Sequence, residues 1–185
     1  MDFVIHNMFQ KYTQSTYETC LACSLLQSVD QIMPIKINKK IELEVINHSM
    51  KFSKKDFVVG HLDYIGKKYK LNILRVVDNQ PFYNYIKKIK TGPNIKIKVA
   101  RIDFKLIDSY LETTKPIVYI DAYTLFKISH APHFITVLRK IKNKYEVFDP
   151  WYGKTMIIES ETLSDAISSL RNHLLFCPQL ITLSK

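Results

Sequence analysis

The rhythm of hydrophobic and polar positions changes halfway along the chain. Over residues 20–32, Leu21, Leu25, Val29 and Ile32 recur three or four positions apart, the repeat that gathers apolar side chains on one face of a helix. Thr19 stands where an N-cap belongs, and Pro34 ends the run. Phe57, Val58, Leu62, Ile65 and Tyr69 predict a second amphipathic helix over 54–69. A third, shorter helix is predicted over 81–90, before a turn at Gly92-Pro93. Residues 1–19 read as extended chain that then turns.

After Gly92-Pro93 the period shortens. Residues 95–102, Ile-Lys-Ile-Lys-Val-Ala-Arg-Ile, alternate as a strand with one wet face does. Pro-Ile-Val-Tyr-Ile-Asp at 116–121 reads as a buried strand, and 133–139 and 145–149 as two more. Helices are predicted over 104–112 and 161–174, with a final strand over 178–183. Helices first and a mostly antiparallel sheet second make an α+β fold. A chain of 185 residues suits one core, so residues 1–185 are read as a single domain.

Composition narrows the function classes. An apolar share of 46% and 12% aromatics describe an ordered globule. The net charge of +10 raises nucleic acid as a partner. Nearly all of that charge is lysine, spread along the chain, with Arg75, Arg101, Arg139 and Arg171 the arginines. Arginine supplies the forked contacts of specific nucleic-acid reading, so the balance favours a solvated lysine surface. No apolar run approaches the ~20 residues of a membrane span. Met-Asp-Phe-Val-Ile-His carries an acid where a signal peptide carries bases, so a soluble, cytoplasmic protein is expected. The cysteines Cys20, Cys23 and Cys177 are odd in number, which fits a reducing compartment better than a disulfide scaffold.

Candidate chemistry concentrates in four residues. Cys20 falls at the predicted start of the first helix, where unpaired amides and the helix dipole favour a thiolate. Gln14, six residues upstream, is a candidate oxyanion donor alongside the Cys20 amide. His133 and Asp149 sit on the two strands of a predicted hairpin with its turn in 140–144. Closed about Ile141, that hairpin sets 133 opposite 149, their Cβ atoms roughly 5 Å apart and the carboxylate able to orient the imidazole. A slip of one residue would put the two on opposite faces. Thiol, imidazole, carboxylate and amide are the parts of a cysteine-dependent acyl-transfer site, which needs no metal or cofactor. Leu21 and Trp151 are weaker candidates for contacting a substrate. Two other readings compete. Cys20-x-x-Cys23 has redox-pair spacing, but no strand precedes it as that fold requires. Cys20, Cys23, His130 and His133 make a zinc set on paper without the paired short loops of such sites.

These motifs resemble the papain-like bacteriocin-processing peptidases, which cut leader peptides after a double glycine, and their stand-alone relatives. The resemblance rests on Gln14, on Cys20-Leu21-Ala22-Cys23, on Lys115-Pro116 and its strand, on His133-Phe134-Ile135-Thr136-Val137 and on Asp149-Pro150. It implies a papain-like fold with Cys20 as nucleophile, His133 as base, Asp149 as orienter and Gln14 as oxyanion donor. Cys23 would then pack within the first helix, and the partner would be a peptide or protein substrate. Leu21 departs from the glycine usual after the nucleophile, and Thr19 from the usual acid before it. No membrane span or nucleotide-binding segment of the transporter-fused processors is read in the sequence, so double-glycine specificity is not assumed. An acyltransferase using the same site and a non-catalytic binding module both stay open.

Overall fold

The computed structural model describes residues 10–52 and 56–185. The extended reading of residues 1–9 and the first positions of the predicted second helix lie outside that range. Three helices come first: α1 (Cys20–Ile32), α2 (Lys39–Phe52) and α3 (Phe57–Tyr69). The sequence reading passed over α2, whose polar character hides its amphipathic stripe. Asp56 caps α3 by accepting the amides of Val58 and Val59.

A seven-stranded sheet follows in the order β2-β1-β7-β3-β4-β5-β6. Its strands are β1 (Asn72–Val77), β2 (Ile95–Val99), β3 (Ile117–Asp121), β4 (Pro132–Ile141), β5 (Lys144–Asp149), β6 (Lys154–Glu159) and β7 (Gln179–Ser184). Among the described residues only β1 and β2 pair in parallel, and the other pairings are antiparallel. The shorter helices are α4 (Gln80–Ile86), α5 (Phe104–Leu111) and α6 (Tyr123–Phe126), and α7 (Ser160–Asn172) precedes the last strand. Strands β1 and β6 and helix α6 were not predicted. β1 lies inside the sheet, and its Ile73-Leu74 and Val76-Val77 pairs around the buried Arg75 carry no two-residue period.

Alternation along the strands feeds two cores. Ile117, Phe134, Ile181 and Leu183 face α1–α3, together with Leu25, Leu26, Val29 and Leu62. Val118, Ile120, Ile135, Val147 and Leu180 face the other way, onto Ile107, Leu163, Ala166 and Ile167 of α5 and α7. This layering places the N-terminus of α1 beside the start of β4, which fixes the location of the site.

The β4–β5 hairpin corrects the predicted register. Its turn is Lys142-Asn143, with Lys142 in the left-handed region, and Ile141 pairs Lys144. Carried through unbroken, that register would put His133 and Asp149 on opposite faces. A β-bulge between Val137 and Arg139 shifts the pairing by one residue, so that Thr136 meets Phe148. Continued one step, the new register points Asp149 at Ile135, the same-face neighbour of His133. The pair is thus diagonal, not directly opposed, and the bulge restores the shared face.

Candidate active site

Cys20 is the first residue of α1, and no side chain caps that helix. Thr19 occupies the cap position, but its hydroxyl donates to the Thr16 carbonyl at 2.8 Å. The first-turn amides of Cys20 and Leu21 instead reach the Cys20 Sγ, as does the backbone amide of Phe134 on β4. These donors favour the thiolate. Burial outweighs them. Cys20 is only 9% exposed, and desolvation, joined by the negative charge of Asp149, pushes its thiol up to about 11. Burial thus opposes the favourable effect of the helix terminus on the thiolate.

His133 and Asp149 are both fully buried, with Nε2 of His133 2.7 Å from Oδ1 of Asp149. A carboxylate accepts, so Nε2 carries the hydrogen and Nδ1 is left bare. Nδ1 is buried without a hydrogen-bond partner among the described residues. Burial lowers the His133 pKa, against the bond and charge of Asp149, which raise it. The same carboxylate accepts the amides of Trp151 at 3.1 Å and Tyr152 at 3.2 Å. The corner at Asp149-Pro150 thereby fixes the carboxylate as well as turning the chain. The Trp151 ring lies 3.9 Å from the imidazole, and Tyr17 stacks on Trp151 at 5.1 Å.

Gln14 arrives at the same corner by its backbone, donating to the Pro150 carbonyl at 2.9 Å. Its side chain does not aim a donor at an open site. Nε2 donates to the carbonyls of Thr16 at 2.7 Å and Tyr17 at 2.8 Å, while Oε1 is buried without a partner. The loop carrying Gln14 is tethered from several directions. Buried Glu42 on α2 accepts from the Tyr12 hydroxyl at 2.8 Å, from the Ser15 amide at 3.0 Å and from the Ser15 hydroxyl. Cys23 Sγ donates to the Tyr12 carbonyl at 3.3 Å, and Gln27 to that of Gln10 at 3.2 Å. Gly153, with φ +59°, packs directly against Thr13.

Two cavities lie near the site, one of them lined by Cys20, and Tyr17 borders both. One, of about 370 Å³, is lined by Cys20, Leu21, Phe57, Val58, Tyr119 and Phe134. The other, of about 390 Å³, is bounded by Gln14, Phe126, Ile128, Trp151 and Tyr152. Leu21 and Trp151 thus stand in different walls. Sequence reasoning missed Tyr17, Phe57 and Tyr119 here and Glu42 behind the loop. Each reads locally as an ordinary helix, strand or loop residue. His130 also gains a partner invisible in the sequence, Asp121 at 2.6 Å.

No family model matches the chain, and no curated protein matches it. A solved structure described as a candidate C39-like peptidase from Bacillus anthracis aligns with a TM-score of 0.56 at 12% identity, over 94% of each chain. At that identity the likeness is one of fold: the N-terminal helices and mostly antiparallel sheet are arranged as in that structure. No helix among the described residues is long and apolar enough to cross a membrane.

Proposed function

We propose that the chain is a cysteine peptidase or related thiol hydrolase that cleaves a peptide or amide bond. The observation that carries this reading is the buried His133–Asp149 pair at 2.7 Å, with Nδ1 of His133 unpartnered. The next residue, Phe134, offers its amide to the Cys20 sulfur. The thiol attacks the substrate carbonyl while its proton passes to Nδ1, and Asp149 stabilises the imidazolium that forms. The amides of Cys20 and Leu21 face the developing oxyanion. Nδ1 then returns the proton to the leaving amine, and water hydrolyses the acyl-enzyme. Gln14 joins as a further donor once its amide releases the Thr16 and Tyr17 carbonyls. The finer assignment, to relatives of the double-glycine leader peptidases, rests on the motif resemblance at Cys20–Cys23 and His133–Val137. Passing the acyl group to an amine would make the same site an acyltransferase.

A second reading, a peptidase-like binding module without activity, is favoured by one observation: both donors of Gln14 are spent on its own loop. Labelling with a peptidyl acyloxymethyl ketone at pH 7, read by mass spectrometry, decides between them, with Cys23 and Cys177 as internal controls. The peptidase reading expects selective labelling of Cys20 that falls by about 10²–10⁴ in His133→Ala, the usual worth of a general base. Labelling of Cys20 no faster than Cys177, or indifferent to His133→Ala, would refute it.

A further inference from the structure

The leaving amine must take its proton from His133, and Trp151 lies against that imidazole. The leaving half of a substrate therefore runs past the Trp151 wall, which leaves to the acyl half the cavity that Cys20 itself lines and that His133 and Trp151 do not. That cavity is about 370 Å³, within the range of roughly 300–1,000 Å³ typical of ligand sites. Its walls come from α1, α3, β3 and β4, and they are apolar. Tyr119 and Phe134 are register partners on adjacent strands, their rings stacked at 4.2 Å. Leu21, directly after the cysteine, is 4% exposed, so its side chain is part of the wall. Of the described residues lining the cavity, Glu18 alone is charged, on a protein whose net charge is +10.

The apolar surface continues outward. Phe176 meets the Tyr119 ring edge-on at 6.2 Å. Its neighbour Leu175 is 82% exposed and has φ +59°. A leucine gains nothing from the left-handed region and pays a steric cost there. Leu175 stands in the turn that follows α7, where the Phe176 amide donates to the Leu170 carbonyl at 3.0 Å, and its apolar side chain is open to solvent.

We infer that the substrate is a peptide with an aromatic or large aliphatic residue on the acyl side of the bond that is cut, seated in the cavity of Leu21, Phe57, Val58, Tyr119 and Phe134. This rests on the reading of Cys20 as nucleophile. A glycine at that position leaves the walls uncovered, and an aspartate meets apolar walls and the charge of Glu18.

Three peptidyl acyloxymethyl ketones that differ only in the residue next to the reactive group, Phe, Gly or Asp, test it on the whole protein. The rate of Cys20 modification is read by mass spectrometry, with iodoacetamide as a probe that lacks any side chain. The Phe reagent is expected to react at least about tenfold faster than the Gly reagent, since even one buried methylene is worth 10–200-fold in such a pocket. The Asp reagent should be slowest. Val58→Asp, at a helix N-terminus that tolerates an acid, should collapse the Phe-to-Gly ratio towards one. If that variant fails to fold, Phe57→Ala at an exposed position should still reduce the ratio. Equal Phe and Gly rates, with iodoacetamide labelling of Cys20 still dependent on His133, would overturn the inference and leave the nucleophile reading standing. Iodoacetamide labelling indifferent to His133→Ala would overturn both.

Discussion

Replacing Asp149 by asparagine changes one atom and removes the charge beside His133. In the wild type Oδ1 of the carboxylate accepts from Nε2 at 2.7 Å and from the Trp151 amide, while Oδ2 accepts from the Tyr152 amide. An asparagine must turn its NH₂ towards one set of these donors. With its oxygen at the Oδ1 position the NH₂ meets only the Tyr152 amide, whereas the flipped side chain would meet both Nε2–H and the Trp151 amide, so the first orientation and the Nε2–H tautomer are kept. What is lost is the charge that stabilises the imidazolium formed when Nδ1 takes the thiol proton. A hydrogen bond to a charged group exceeds a neutral one by about 1–2 kcal/mol, so the rate of Cys20 acylation should fall roughly 5- to 30-fold. Stability should fall by about 1–3 kcal/mol, because the Tyr152 amide loses its acceptor. Two measurements check this: Cys20 labelling rates at pH 7, and the ¹⁵N shifts of His133, which report the tautomer without reference to activity. A variant that keeps its tautomer yet labels at the wild-type rate refutes the role of the Asp149 charge behind Nδ1, and one that moves the hydrogen to Nδ1 refutes the retained orientation.

Other consequences concern stability. His61 is buried, its Nδ1–H donates to the Phe57 carbonyl at 2.8 Å, and Nε2 has no partner. Burial lowers its pKa to about 4, so the stability it contributes is complete above about pH 6.5 and is lost as pH falls through about 4. That amounts to about 2 kcal/mol by pH 5; denaturant titrations at pH 7 and 5 should show a slope shallower by that amount in His61→Leu, with the contribution of His133 common to both proteins. In Gly153→Ala the new Cβ meets Thr13 Oγ1 at 2.1 Å on a backbone with φ +59°. A loss of roughly 1–3 kcal/mol is expected, read from the denaturation midpoint, and an unchanged midpoint would refute the close packing of these two loops. Glu42→Gln weakens the bonds to Tyr12 and Ser15, so limited proteolysis should cut within residues 10–19 faster than in the wild type, at a stability cost of about 1–3 kcal/mol. An unchanged cleavage rate would mean the loop is held elsewhere.

The sequence by itself determined what local chemistry can determine. Helix α1 was legible because Leu21, Leu25, Val29 and Ile32 keep one face, and its start at Cys20 followed from Thr19 and the onset of that repeat. Of the two outer strands, β2 was legible in the alternation of Ile95–Val99, and β6 was not. The pairing of His133 with Asp149 was legible as a shared face on neighbouring strands, although its register was not. Tertiary structure decided the rest. β1 and β2 pair in parallel, and β7 enters between β1 and β3; such contacts join residues far apart in the chain and leave no local period. The bulge between Val137 and Arg139 leaves no mark in the local pattern, and without it the imidazole and carboxylate would part. The state of the thiol was likewise a tertiary matter. A helix N-terminus argues for a low pKa, but the burial of Cys20 exceeds that effect and the help of the Phe134 amide, because desolvation depends on everything packed around the group and not on its place in a helix.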